Sequence, residues 1–210
     1  MIFEQLFDQK SSTYTYIIAS GEGREALIID PVIEHSDEYS TILKNLDLKL
    51  VKVIDTHIHA DHISALNELN KRTNCIRVMG EKSKSEVIDL RIKDGEKINV
   101  EEVELQAIYT PGHTDCSYSF LMNDRVFTGD TLLINGSGRT DFQNGNAYDA
   151  YDSIFNKLLK LPEKTLVFPA HDYNGKKFST IENEKNNNPR LQVSSKEEYA
   201  DIMNNLNLAN

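Results

Sequence analysis

Six consecutive positions carry three imidazoles and a carboxylate: His57, His59, Asp61 and His62, in the stretch Thr56-His57-Ile58-His59-Ala60-Asp61-His62. The apolar run Leu50-Val51-Lys52-Val53-Ile54 leads into it. In extended chain, residues i and i+2 point the same way, so His57 and His59 can face one point while a turn brings Asp61 and His62 round. Such groups fill a core poorly. Imidazole nitrogens and carboxylate oxygens need hydrogen-bond or metal partners away from water, and one ion satisfies several at once. A lone His near a strand end is ordinarily a surface or hydrogen-bonded residue. Here three of the chain's six histidines share the stretch; two more, His113 and His171, each follow an apolar run and a turn signal, and only His35 lies outside the pattern. That census favours a metal site.

The donors on offer are His57, His59, Asp61, His62, His113, Asp130 and His171, all nitrogen or carboxylate oxygen. The set suits Zn, Fe, Mn or Ni, and the absence of clustered Cys argues against a closed structural zinc site. Seven ligands exceed what one ion needs, so they could hold two ions bridged by Asp130, or one ion with the rest supporting it. Two ions would activate water for hydrolysis of an ester, thioester, amide or phosphodiester. One ion held by two His and a carboxylate leaves an open face of the kind that admits substrate and O2 to non-haem Fe(II). Spacing does not choose between them.

The donors must be positioned by strands. Thr13-Tyr14-Thr15-Tyr16-Ile17-Ile18 and Ala26-Leu27-Ile28-Ile29, separated by Ser20-Gly21-Glu22-Gly23, predict a hairpin that Asp30-Pro31 closes. Residues 36–46 carry Tyr39, Ile42, Leu43 and Leu46 at helical spacing. After the histidine stretch, Ile63, Leu66 and Leu69 mark a helix face with Asp61 as a candidate N-cap. Residues 75–79, 97–100 and 103–109 predict strands, residues 83–92 are ambiguous, and Thr110-Pro111-Gly112 forces a turn before His113. Asn123-Asp124 joins two further strands, after which come Gly129 and Asp130; Leu166-Val167-Phe168 leads to His171. Four strand-like runs thus end near a His or Asp, and one sheet edge could gather them. The loop Asn135-Gly136-Ser137-Gly138-Arg139-Thr140-Asp141-Phe142 precedes a predicted helix over 147–161, and its glycines suggest positive φ. Residues 194–208 predict a final packing helix.

Composition sets limits. A net charge of −10 argues against nucleic acid and against an anionic membrane face, since both need a basic footprint. No run is long enough to span a bilayer, and the N-terminal residues lack a signal peptide's pattern. The two cysteines, Cys75 and Cys116, read as small buried hydrophobes in a reducing compartment. The expectation is a soluble cytoplasmic α/β protein, residues 1–210 forming one domain with a short helical tail. An anionic small substrate remains open if a few Lys or Arg gather at the pocket.

His-x-His-x-Asp-His followed by Thr-Pro-Gly-His, Thr-Gly-Asp and Pro-Ala-His resembles the metallo-β-lactamase superfamily, which implies an αββα four-layer sandwich but leaves the chemistry open. A narrower resemblance, to persulfide dioxygenases (sulfur dioxygenases, ethylmalonic-encephalopathy-type proteins), rests on several blocks. These are Phe127-Thr128-Gly129-Asp130-Thr131-Leu132-Leu133-Ile134, Gly138-Arg139-Thr140-Asp141-Phe142-Gln143 and Pro169-Ala170-His171-Asp172-Tyr173. Asn188-Pro189-Arg190-Leu191 and Ile202-Met203-Asn204-Asn205-Leu206-Asn207-Leu208 continue it. It implies one Fe(II) per chain on His57, His113 and Asp130, with His59, Asp61, His62 and His171 as supporting or second-metal positions. It implies the reaction of glutathione persulfide, O2 and water to glutathione and sulfite. By the same resemblance Arg190 and Tyr173 contact glutathione, with Arg139 a further candidate; packing of the tail and a salt bridge to Asp141 are the bland alternatives. A homodimer is admitted, not required. Ile58 and Ser137 stand where some relatives carry Cys, and neither is a proposed ligand.

Two rivals remain. A dinuclear zinc thioester hydrolase of the glyoxalase II type, acting on S-lactoylglutathione, shares the motifs, although the chain after His171 is short for the helical domain that carries its glutathione contacts. A non-catalytic persulfide sensor or carrier on the same fold is the other.

Overall fold

The computed structural model describes residues 1–206, so Asn207, Leu208 and the predicted end of the tail helix lie outside the described residues. Two six-stranded sheets lie face to face. The first runs β1 (Ile2–Asp8), β2 (Thr13–Ala19), β3 (Glu25–Ile29), β4 (Lys49–Ile54), β5 (Ile76–Gly80) and β6 (Leu90–Ile92) in spatial order, antiparallel up to β3 and parallel thereafter. The second contains β7 (Lys97–Val100), β8 (Val103–Tyr109), β9 (Tyr118–Met122), β10 (Arg125–Gly129), β11 (Leu166–Pro169) and β12 (Ser179–Thr180), ordered β12-β11-β10-β9-β8-β7. In it only β10 and β11 pair in parallel.

Alternation along β2 explains the layering. Tyr14, Tyr16 and Ile18 point into the core between the sheets, beside Ile54, Phe120, Phe127 and Phe168. Ile17 and Ala19 point the other way, against Tyr39 and Leu43 of α1 (Ser36–Asn45) and Leu66 and Leu69 of α2 (Leu66–Thr73). On the far side Val126 and Val167 pack beneath α3 (Ala147–Tyr151), α4 (Ile181–Asn187) and α5 (Lys196–Asn204), through Ala150, Ile181, Tyr199 and Met203. The result is the expected αββα sandwich. A strand buried on both faces reads as an unbroken apolar run, as Ala26-Leu27-Ile28-Ile29 does. Each fully buried Ile, Leu or Phe is worth about 1.5–3 kcal/mol.

Several local expectations change. Asp61 does not cap a helix: α2 starts at Leu66 behind Ala65, and the Asp61 carboxylate is drawn to His62 and His171 instead. The helix expected over 147–161 is α only to Tyr151, then a π turn (Asp152–Lys157) and a 3-10 turn (Leu158–Lys160). Gly136 and Gly138 are not at positive φ; Asn135 takes that conformation at 56°. Gly138 is instead a close approach, since a Cβ there would stand 2.1 Å from the Asp130 carbonyl oxygen and 2.9 Å from His113 Nδ1. Edge strand β1 was not evident from the sequence, because Glu4 and Gln5 interrupt its apolar face.

The sheets are stitched together at one end. Tyr14 N–H donates to the Ala170 carbonyl at 2.7 Å and Tyr118 N–H to the Thr56 carbonyl at 2.9 Å. That end is where β3, β4, β8, β10 and β11 deliver Asp30, the histidine stretch, His113, Asp130 and His171.

Candidate metal centre

Three side chains from three segments converge: one ligand atom each of His57, His113 and Asp130 lies within 4.8 Å of the others. Their neighbours decide which atoms remain free. Asp30, at the end of β3 and 1% exposed, accepts the Thr56 N–H at 2.7 Å and the Thr56 hydroxyl at 2.9 Å. With its proton committed to Asp30, the Thr56 oxygen accepts from His57 Nδ1–H at 3.0 Å, leaving the His57 Nε2 lone pair unspent. His113 Nδ1–H donates to the Arg139 carbonyl at 2.8 Å, which frees its Nε2. Asp130 Oδ1 accepts from His171 Nδ1–H at 2.6 Å, which frees Oδ2. The two free nitrogens stand 3.9 Å (His57) and 3.5 Å (His113) from that oxygen. Two imidazole lone pairs and a carboxylate oxygen facing one another without a proton between them form a donor set that fits a cation, each orientation fixed from behind.

Charge follows the same division. Burial, reinforced by His59, holds His57 well below the usual imidazole range, so it stays neutral. Burial would raise the Asp130 carboxyl, but the charge on His171 and its hydrogen bond outweigh it and hold it below the carboxylate range. Burial pushes His171 down and the Asp130 and Asp61 carboxylates drive it well up. Its two nitrogens are both committed, Nδ1 to Asp130 and Nε2 to Asp61 at 2.9 Å, with Thr13 Oγ1 3.1 Å from Nε2.

A second group sits beside the first: His59, Asp61 and His62. His59 Nε2 bonds Asp30 at 3.1 Å and His62 Nδ1 bonds Asp61 at 2.8 Å, while His59 Nδ1 and His62 Nε2 are buried without a partner. Burial opposes the charge on His59, but Asp30 overcomes it and lifts the ring to about 9. Asp55, beneath the stretch, is raised by burial to about 7.

The three expected substrate contacts lie around one cleft of about 290 Å³, with His113 and Asp130 in its wall. Arg190 is half-buried, donates from Nη1 to the Ser137 carbonyl, and has no carboxylate partner among the described residues. Tyr173 is 71% exposed and its ring lies parallel to His171, 6.1 Å between centroids. Arg139 lines the cleft but its guanidinium forks onto Asp141 at 2.8 and 2.9 Å, the salt bridge anticipated as its alternative. Asp30, Thr56 and Thr13 are the residues that sequence reasoning missed. Asp30 alone carried a signal, an acid following an apolar run as Asp130 does, but the following Pro31 made it read as a turn.

The metallo-beta-lactamase superfamily model matches residues 9–89 and 78–171. The mitochondrial persulfide dioxygenase ETHE1 of Mus musculus is 43% identical over 99% of this chain and 82% of its own length. The crystal structure of ETHE1 from Myxococcus xanthus superposes with a TM-score of 0.97 at 48% identity, covering 100% of this chain and 92% of that one. A hydroxyacylglutathione hydrolase of Dictyostelium discoideum is 29% identical over 83% of this chain and 68% of its own length.

Proposed function

The chain belongs to the metallo-beta-lactamase superfamily and, within it, to the persulfide dioxygenases, and from that premise we propose that it oxidises glutathione persulfide with O2 and water to glutathione and sulfite. The observation that carries the site assignment is the set of unspent atoms: His57 Nε2, His113 Nε2 and Asp130 Oδ2, each opposite an atom already committed to a neighbour. We assign one Fe(II) per chain to them. When bound, that ion supplies the electron chemistry by which O2 reacts with the terminal sulfur. The chain's own residues do the rest. Arg190 receives the anionic end of the substrate, Tyr173 and Arg139 wall the cleft, and the buried rings of His57 and His113 limit water at the reacting sulfur. His171 donates from Nδ1 to Asp130 and from Nε2 to Asp61, which keeps the Asp130 carboxylate turned to the cleft. The free buried cysteines suit a cytoplasmic setting.

A second reading has one observation in its favour: the unpartnered His59 Nδ1 and His62 Nε2 beside Asp61 could hold a second ion, as in a zinc thioester hydrolase. Against it, His171 has no nitrogen left to offer. Anaerobic purification followed by metal analysis and paired assays separates the two. The proposal expects one iron per chain, O2 uptake with glutathione persulfide, and loss of both metal and turnover in His113→Ala. Two zinc ions per chain with hydrolysis of S-lactoylglutathione and no O2 uptake would replace it.

A further inference from the structure

Glu184 on α4 is fully buried, with no basic side chain paired to it among the described residues. Its two oxygens accept from neutral donors only. Oε2 takes the Asn135 N–H at 2.9 Å and Asn188 Nδ2 at 2.8 Å; Oε1 takes Asn183 Nδ2 at 3.1 Å and the Ser179 hydroxyl. Burying a carboxylate is costly, and here four donors are spent to do it.

The two donors on Oε2 belong to the two segments that build the anion side of the cleft, and the two on Oε1 hold the carboxylate in place from behind. Asn135 opens the loop that carries Ser137, Gly138 and Arg139, and it sits at positive φ, where a backbone hydrogen bond to a fixed acceptor defines the turn. Asn188 reaches across to the Gly136 carbonyl at 2.9 Å and accepts the Arg190 N–H at 3.0 Å. Arg190 then returns to the Ser137 carbonyl. One buried carboxylate therefore closes a ring of hydrogen bonds linking α4, the loop and the guanidinium.

We propose that Glu184 is a positioning residue for substrate: it sets the spacing between the 135–139 loop and Arg190, so that the guanidinium faces the cleft at the distance an anionic thiol tripeptide requires. The inference rests on the reading of Arg190 as the substrate's anion contact. In Glu184→Gln, of nearly the same shape, one acceptor becomes a donor that meets either the Asn135 N–H and the Asn188 amide, or the Asn183 amide and the Ser179 hydroxyl. In the first case the ring itself opens; in the second the Oε1 contacts that hold it in place are disturbed.

The test is calorimetric binding of reduced glutathione to the iron-loaded protein under anaerobic conditions, with steady-state kinetics on glutathione persulfide and a melting curve for each variant. In Glu184→Gln we expect affinity for glutathione to fall, and KM to rise, by about tenfold, with kcat and iron content kept. Asn183→Ala, half-buried and removing only one donor, gives a smaller loss in the same direction and decides the matter should Glu184→Gln not fold. Wild-type affinity and KM in a folded Glu184→Gln, or in Asn183→Ala when it stands alone, overturn the proposal even if the melting temperature drops. Arg190→Ala keeps the two claims apart. If it leaves glutathione binding intact, the anion-contact reading fails; if it weakens binding while Glu184→Gln does not, only the positioning role fails.

Discussion

Replacing Asp30 by Asn should cost the protein its metal through an atom that never touches it. The backbone tolerates the change, because Asp30 has φ 50° and Asn is among the residues that accept that region. Asp30 Oδ1 accepts both the Thr56 N–H at 2.7 Å and His59 Nε2 at 3.1 Å, so the amide oxygen must take that place. The amide NH2 then faces the Thr56 hydroxyl, which today donates to Oδ2 at 2.9 Å. That hydroxyl must turn and donate to His57 Nδ1, 3.0 Å away, which moves the imidazole proton to Nε2 and blocks the lone pair meant for the ion. Loss of a partner that fixes a ligand's tautomer costs about 10- to 100-fold in metal affinity, or roughly 1.4 to 2.8 kcal/mol. Competition of Asp30→Asn with wild type for Fe(II) or Co(II) against a chromophoric chelator measures it, and imidazole 15N shifts of the metal-free protein report the tautomer directly. Unchanged affinity with His57 still protonated on Nδ1 would refute the reasoning.

Gly138→Ala should also strip the metal, because the added methyl group would fall 2.1 Å from the Asp130 carbonyl and 2.9 Å from His113 Nδ1; metal content of the purified variant checks this. The Asp8–His35 pair should give stability a pH window. Burial works against the Asp8 carboxylate, but hydrogen bonds from Ser11 and His35 bring it down to about 2, and Asp8, against some burial, raises His35. The Asp8 share is complete above its unfolded value near 3.8 and is lost as pH falls toward 2. The His35 share is complete below 6.5 and is lost as pH rises through its raised value. His35 is faced by Asp8 at 2.9 Å and Glu38 at 2.8 Å. Melting curves of Asp8→Asn should therefore differ most from wild type between about pH 4 and 6.5 and draw closer above without meeting, because the two Ser11 bonds to Asp8 persist after His35 loses its charge; a difference that does not narrow at all up to about pH 9 would contradict the pairing.

The architecture was legible where burial is periodic or total, and the ligand positions were legible because strand ends announce them. What failed was partner choice. Asp61 reads as an N-cap because it stands just before the Ile63, Leu66 and Leu69 face, yet its carboxylate is taken by two imidazoles, His62 and His171. Asp30 was hidden by the proline after it. Glu184 carries no signal in Ile181-Glu182-Asn183-Glu184-Lys185, where it is one charged residue among several; its role comes from α4 burying it against the 135–139 loop. Gly138 suggests dihedral freedom in the sequence, whereas its value lies in the missing side chain. In each case local sequence supplies the group and tertiary contact supplies its role.

The acidity of the chain bears on how an anion could be held. With 33 acidic against 23 basic residues, the protein as a whole repels an anionic thiol. Yet surface charges more than about 8 Å away are largely screened at physiological salt. What the anion meets is set inside the cleft, where Arg139 is already balanced by Asp141 and Asp130 is turned toward His57 and His113. Arg190, partly stripped of water and bonded only to a carbonyl, is left with its charge uncompensated there. A guanidinium so placed gains more from an incoming carboxylate than an exposed lysine would, because less hydration is surrendered when they meet. The net charge of −10 therefore works against nonspecific anion binding while leaving uncompensated the guanidinium that we propose as the anion contact.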